Sequence, residues 1–383
     1  MQTIDKSQSE SVILVLNSGS SSLKFSLYYH GTTDEELILE GRAEAIGRDD
    51  GTFRIKLADG TKLVDEKNVN QSQPDALLKV AALMREKLHV VPVAVAHRIV
   101  NGGPNLLKHQ LATDAAIAEL ARCVHFAPVH TPAALSVVYE AKKIFSACPH
   151  FLCFDTAFHS TMPEVAKHLP IPTRYYEQGV IRYGAHGLSF ESLVYALGKD
   201  LPKRAVFAHL GNGSSITAVL DGKSIDTSMG LTPTGGVPMG TRTGDLDPGV
   251  VIYLMRNEHL TADQMQELLN GECGLTAFSN GESDMQVITA RANAGDTAAE
   301  FAMLAFSTAI RKWIGSYAAL MGGIDMLVFS GGIGENSVEV RTRVCDGLQF
   351  LGIDLHAPNG NVRVVKTEEE RQIARHARNL LHA

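Results

Sequence analysis

The chain is predicted to be an α/β protein built from two similar halves. Three observations predict this. Apolar, β-branched runs alternate with stretches of helical periodicity along most of the sequence. A strand, a Gly/Ser-rich turn and a returning strand occur twice, at 12–29 and at 205–220. Gly19 and Gly213 fall in equivalent places in the two copies, which reads as an internal duplication. The length of 383 residues accommodates such a pair, at roughly 100–200 residues per domain.

The elements follow in order. Val12–Leu16 is a buried strand ending in the turn cluster Asn17–Ser22, and Leu23–Tyr29 returns from it. Leu37–Ala45 and Phe53–Leu57 read as third and fourth strands. Pro74–Leu88 has helical periodicity, and Val93–Ala96 is a short strand running into His97–Gly103. Two helices follow, Asp114–Cys123 and Pro132–Phe145, and then a buried strand, Phe151–Phe154, that ends at Asp155. The second half opens with Ala205–Leu210, the turn Gly211–Ser215 and the strand Ile216–Leu220. Thr297–Met321 is a core helix, because Arg311 and Lys312 interrupt it too strongly for a membrane span. Met326–Phe329 is a strand, Gly331–Gly334 a turn, and helices begin near Ser337 and Glu368.

Composition narrows the function. Apolar residues at 45% and charged residues at 20% describe a globular chain, not a disordered or fibrous one. A net charge of −7 disfavours a protein that grips nucleic acid along its phosphates. The five cysteines, at 123, 148, 153, 273 and 345, are odd in number and lack zinc spacing, so they read as reduced thiols. Met1–Ser11 lacks the basic-then-apolar order of a secretion signal, and a cytoplasmic location is expected.

Three strands end in turns rich in Gly, Ser and Asn, at 17–22, 211–215 and 331–336. Such turns let backbone N–H groups and hydroxyls close around phosphate oxygens. Neither common nucleotide loop is present. Gly222, Lys223 and Ser224 supply only the tail of a P-loop, with Thr217 where the first glycine belongs. The Gly-x-Gly pairs at 211–213 and 332–334 lack the closing glycine of a dinucleotide fingerprint. Asp226–Gly249 is too rich in Gly, Pro and Thr for a helix or central strand, and a long loop of this kind is usually functional. Arg242 within it either forks onto a phosphoryl group or braces the loop through Asp245 or Asp247.

The ordered motifs LNSGSSSLK (16–24), HRIVNGG (97–103), FDTAFH (154–159), RYGAHG (182–187), HLGNG (209–213), MGTRTGD (239–245), FSGGIGEN (329–336) and TEEE (367–370) resemble those of the acetate kinase family. The resemblance spans nearly the whole chain. It implies two duplicated actin-like (ribonuclease H-like) domains with an interdomain cleft. The first domain would be 1–156, completed by a C-terminal helix at about 370–383. The second, 157–369, would carry most of the nucleotide site. The implied activity is reversible transfer of the ATP γ-phosphoryl group to acetate, with Mg²⁺ (or Mn²⁺) as cofactor and ATP/ADP as co-substrate. The implied partners are a short-chain carboxylate, ATP and a second copy of the chain, with neither nucleic acid nor membrane.

By the same resemblance, Arg98 and Arg242 hold carboxylate and phosphoryl oxygens, His186 donates to the phosphoryl group, and Asp155 orients an arginine or metal-bound water. Val100, Val129, His130 and Pro233 match the acyl site. Asn17 and Glu369 match the metal site. Ser20, Ser22 and Lys24 match the first phosphate turn. His209, Leu210, Gly211, Asn212 and Gly213 match the second. Asp284, Met285, Gln286, Gly331, Gly332, Ile333, Gly334 and Asn336 match the adenosine side. Taken singly, most of these have ordinary structural readings: His97 and His159 as hydrogen-bonded core groups, Lys24 as a solvated cation, Asp155 as a helix cap.

The chain departs from the family pattern at four places. Ala185 replaces a pocket Phe, which should enlarge the pocket unless Phe190 or another side chain refills it. Phe190 stands where His is usual, Asn101 replaces the His of His-Gly-Gly, and Gln286 replaces an Arg near the nucleotide. Propionate or butyrate kinase activity therefore competes with acetate kinase activity as a reading. A non-catalytic actin-like ATP switch and a sugar kinase using Asp155 as base are the readings from other classes.

Overall fold

The structure is a computed structural model that describes residues 12–19, 21–31, 34–69, 72–127, 130–357 and 360–383. It divides into two compact units: one runs to Ala157 and takes back Glu368–Ala383, and the other is Phe158–Thr367.

The first unit is built on eight strands: β1 (Val12–Ser18), β2 (Leu23–His30), β3 (Glu35–Glu44), β4 (Thr52–Leu57), β5 (Lys62–Lys67), β6 (Ala94–Ile99), β7 (Gln110–Leu111) and β8 (His150–Phe154). Their order is β5-β4-β3-β2-β1-β6-β8-β7. β1 pairs antiparallel with β2 and parallel with β6, and β6 pairs parallel with β8. Every residue of β1 is buried, so both faces of the sheet are covered there. Val12, Leu14 and Leu16 pack with Ala76, Leu77 and Val80 of one helix and Val137 and Ala141 of another. The helix Glu369–Leu381 also packs on β1, β2 and β6. The parallel strands β1, β6 and β8 deliver Asn17, Arg98 and Asp155 at or just past their carboxyl ends, where open α/β sheets place ligands.

The second unit repeats the plan with five strands: β9 (Arg204–Leu210), β10 (Ser214–Leu220), β11 (Lys223–Thr227), β12 (Met326–Ser330) and β13 (Val362–Val364). Their order is β11-β10-β9-β12-β13, with two antiparallel pairs followed by two parallel ones. The run β3-β2-β1-β6-β8 has the same order and the same strand senses. The duplication is therefore one of topology, not of one turn alone. The helix Thr297–Met321 buries Ala299, Met303, Phe306, Ile310, Ile314 and Tyr317 at three- and four-residue spacing. Asp296 caps its start and Gly322, at φ +68°, ends it.

Several boundaries differ from the sequence reading. The Pro74–Leu88 helix is α-helical over Gln73–Leu83 and then a π turn over Met84–Leu88, closed by left-handed His89. The strand expected at Val93–Ala96 reaches Ile99 and so carries Arg98 itself. Gly331–Gly334 is not a turn but the start of a short helix, Gly331–Asn336. Gly331 takes the whole change of direction at φ +75°, and a Cβ there would lie 2.7 Å from the Leu210 carbonyl oxygen. The long loop loses Asp226 and Thr227 to β11 and its final Pro248 and Gly249 to a helix. None of the five cysteines is joined in a disulfide among the described residues, and burial pushes the Cys148 thiol up to about 11.

Candidate active site

In the first unit the site grows from one guanidinium. Arg98 Nη2 donates to Asp155 Oδ2 at 2.6 Å, and Nε lies 3.1 Å from both Asp155 oxygens. Arg98 Nη1 donates to Asn17 Oδ1 at 3.2 Å and lies 3.6 Å from Glu369 Oε2. Asn17 Nδ2 donates in turn to Glu370 Oε1 at 3.4 Å. Asp155 is 1% exposed, so this is an ion pair removed from water. Burial pulls the Arg98 pKa down, but Asp155 and Glu369 outweigh it, and the net shift is upward. The charge of Arg98 is thus secured by carboxylates on two sides. Asn17, Glu369 and Glu370 form a set of hard oxygen donors, the kind that suits Mg²⁺.

The turn after β1 is braced from behind. Gly19 N–H donates to the Ser22 carbonyl at 2.8 Å, and the Gln73 amide donates to the Gly19 carbonyl. Lys24 is exposed on β2. Ser20 and Val129 lie outside the described residues. Val100 is half-buried just past β6, and His130 is half-buried at the start of the helix Thr131–Ile144.

In the second unit a different cluster forms around Gly213. A Cβ at Gly213 would lie 3.2 Å from His186 Nε2 and 3.5 Å from Arg242 Nη1. Both cationic or donor groups therefore crowd the same glycine, and a side chain there would displace them. Arg242 Nη1 donates to the Pro233 carbonyl at 3.2 Å and touches the Met239 sulfur at 3.9 Å. The alternative loop-brace role does not hold: Asp245 accepts from Gly236 N–H and Asp247 caps the following helix. Burial lowers the Arg242 pKa, and no carboxylate among the described residues offsets it.

His186 sits in the left-handed region at φ +59°, which sets its ring off the helix Gly187–Leu197 that it precedes. Its Nδ1 is 2.9 Å from Ser215 Oγ, and its ring stacks on His209 with centroids 4.3 Å apart. His159 supports this segment from beneath. It is 1% exposed, lies 2.9 Å from the Ala185 carbonyl through Nε2 and 2.9 Å from Ser224 Oγ through Nδ1. Burial pushes its pKa down to about 4, so it is a neutral brace. His97 is likewise a core group, 3.1 Å from His150.

The remaining nucleotide-side residues divide. Leu210 and Gly331 approach each other through backbone, and a Cβ at Gly211 would lie 3.8 Å from Gly332 N. Asn212 and Asn336 are exposed, and Ile333 packs on the core. Asp284 caps the helix Met285–Asn293 through Gln286 N–H at 2.7 Å, Met285 is a core side chain, and Gln286 is exposed. Four further polar residues bond to these groups: Ser189, Ser215, Glu335 and Thr367. Ser215, Glu335 and Thr367 lie within the Gly-rich turn and the ordered motifs, but no role attached to them there, and Ser189 carried no signal.

Phe190 does not refill the space beside Ala185. It is fully buried between Phe158 and Phe207 on the core side of its helix. Met229 and Met239 pack against Ala185 instead. Asn101 has a local task, accepting from Gly103 N–H at 2.7 Å to tighten the turn after β6.

Two α/β units of one topology, each ending its first hairpin in a glycine turn, define the actin-like ATPase fold. Within that class the chain belongs to the acetokinase family, whose model matches residues 12–377. It is 42% identical over 382 residues to acetate kinase 1 of Neisseria meningitidis serogroup B, covering 96% of this chain and 94% of that one. It is 39% identical over 362 residues to acetate kinase of Treponema denticola, covering 92% and 91%. Among solved structures, acetate kinase of Porphyromonas gingivalis superposes with a TM-score of 0.88 at 34% identity, covering 97% of this chain and all of that one. A propionate kinase from Francisella tularensis superposes with a TM-score of 0.89 at 35% identity, with the same coverage. Among the described residues, no helix is long and apolar enough to cross a membrane.

Proposed function

We propose that this protein catalyses the reversible phosphorylation of acetate by ATP, giving acetyl phosphate and ADP. The observation that carries the reading is the convergence of Arg242 Nη1 and His186 Nε2 on Gly213. Two donors held by backbone and hydroxyl groups, with no carboxylate between them, make a cradle for an anion.

A carboxylate with a pKa of roughly 4 is already ionised at pH 7, so the nucleophile needs no base. Its oxygen attacks the γ-phosphorus in line. The bond to the β,γ-bridging oxygen breaks, and ADP leaves with that electron pair. No proton is transferred. The obstacle is repulsion between two anions, and positive charge with alignment removes it. Arg98 and Arg242 supply the charge and His186 a hydrogen bond to the moving phosphoryl group. Asp155 holds Arg98 in place and is not a base, which argues against a sugar kinase. Backbone amides of Leu210–Gly213 and Gly331–Gly334 receive the nucleotide.

Asn17, Glu369 and Glu370 would hold Mg²⁺, which supplies charge neutralisation to the nucleotide phosphates when bound. By the family resemblance, Val100, Val129, His130 and Pro233 would receive the acyl end. The protein acts in the cytoplasm as a homodimer, in keeping with the family reading. A second reading, propionate as acceptor, is favoured by Ala185; the two methionines packed on it limit the added room. One methylene is worth about 1–3 kcal/mol in such a pocket, so propionate competes and butyrate is disfavoured.

Trapping with hydroxylamine tests the reading. Acetate, ATP and enzyme should yield acetyl hydroxamate. ATP binding without hydroxamate from any short carboxylate would refute it and favour a switch.

A further inference from the structure

A chain of hydroxyls leads from the end of the second unit to His209. Thr367 Oγ1 donates to Ser189 Oγ at 2.8 Å, and Ser189 Oγ lies 2.8 Å from His209 Nδ1. Ser189 is 0% exposed. A hydroxyl has one proton to give. The buried Ser189 hydroxyl, already taken as acceptor by Thr367, must place its own proton, and His209 Nδ1 is the acceptor in reach. A neutral imidazole that accepts at Nδ1 carries its proton at Nε2.

Thr367 is itself anchored. Its backbone N–H donates to Glu335 Oε1 at 3.1 Å, and the same oxygen accepts from Gly331 N–H at 3.0 Å. One carboxylate oxygen thus ties the origin of the hydroxyl chain to the glycine on which the nucleotide-side helix turns. Glu335 acts through this geometry, as an acceptor for two amides. His209 also stacks face to face on His186, with planes 23° apart, so the ring that the relay holds is the ring against which His186 rests.

We propose that Thr367, Ser189 and Glu335 form a positioning relay that locks His209 in its Nε2–H tautomer, so that it presents a donor to the phosphate oxygens bound at Leu210–Gly213. This rests on the reading of that turn as a phosphate turn. All three act through other protein groups and are positioning residues. In the opposite tautomer Nε2 would be an acceptor aimed at an anion, and a donor would become a repulsion. The relay starts at the last residue of the second unit, two positions before Glu369.

The test uses the full chain and three variants. Thr367→Val keeps the shape and removes the hydroxyl, whereas Thr367→Ser keeps the hydroxyl. We expect Thr367→Val to lower kcat about tenfold with KM for acetate unchanged, milder than the loss of about 10²–10³ from deleting an oxyanion donor outright. Thr367→Ser should stay within about twofold of the parent. Ser189→Ala should match Thr367→Val. Imidazole ¹⁵N spectra give a readout independent of turnover. The parent should show His209 protonated at Nε2 only, and Thr367→Val a mixture of tautomers. An unchanged His209 spectrum in Thr367→Val, a kcat equal to the parent's, or a Thr367→Ser variant as poor as the valine would each overturn the relay. Failure of the parent to form acetyl hydroxamate would instead overturn the phosphotransfer reading, while the spectra would still decide the tautomer.

Discussion

Arg98 and Arg242 are the same side chain in opposite electrostatic settings. Arg98 is gripped by Asp155 through three contacts and flanked by Glu369, and its charge is reinforced. Arg242 has a carbonyl and a sulfur for neighbours, and burial weakens its charged form. The first is held by charges within its own unit. The second is left short of negative charge, and that shortage is what an incoming phosphoryl group can satisfy. In the proposed reading, one arginine serves fold and site together, and the other serves the site at some cost to the fold.

The comparison can be broken most sharply at Arg242. Arg242→Ala should lower kcat/KM by about 10³, and Arg242→Lys should recover little, because a point charge cannot fork onto two oxygens. Its urea midpoint should equal or exceed the parent's. Asp155→Asn comes next. It leaves the partly buried guanidinium with only the more distant Glu369 as counter-charge, and should cost about 3 kcal/mol of stability in chemical denaturation as well as activity. An Arg242→Ala variant less stable than Asp155→Asn would reverse the contrast.

A pH effect sharpens the supporting layer under His186. His159 has a usual pKa of 6.5 and a folded pKa of about 4. The unfolded chain binds the extra proton between those values, so stability is complete above pH 6.5 and falls as pH drops towards 4. The full span amounts to about 3 kcal/mol. Urea midpoints measured between pH 7 and pH 4.5 should decline, and His159→Gln should flatten that slope. The smallest expected effect lies at Ala185. Ala185→Gly should raise kcat/KM for propionate relative to acetate by less than about tenfold.

How much of this was legible in the sequence depended on apolar contrast. β1, β9 and the helix Thr297–Met321 are continuous or periodic apolar segments, and their extents were readable. The edge strands were not. β5 (KLVDEK) is mostly exposed and charged, β7 is two residues long, and β11 and β13 lie at sheet edges without an apolar run. The short helix at Gly331 hid behind three glycines, which weigh against helix unless tertiary packing holds the backbone. At the site, charged and imidazole groups in ordered motifs stood out, as Arg98, Asp155, His186 and Arg242 did. Ser189 did not, because a lone hydroxyl has no pattern until its partner is seen, and Glu335 and Thr367 stood inside motifs without showing that they bond to each other. Ala185 was readable as a departure, but the two methionines packed on it come from a distant loop.

The central claim is that a guanidinium without a carboxylate partner, Arg242, gathers the repelling anions for transfer. Hydroxamate formation by Arg242→Ala, with and without added methylguanidinium, tests it most directly. The account predicts turnover reduced by about 10³ and partly restored by the free cation. Turnover equal to that of the parent, or loss that the cation does not restore at any concentration the fold tolerates, would contradict it.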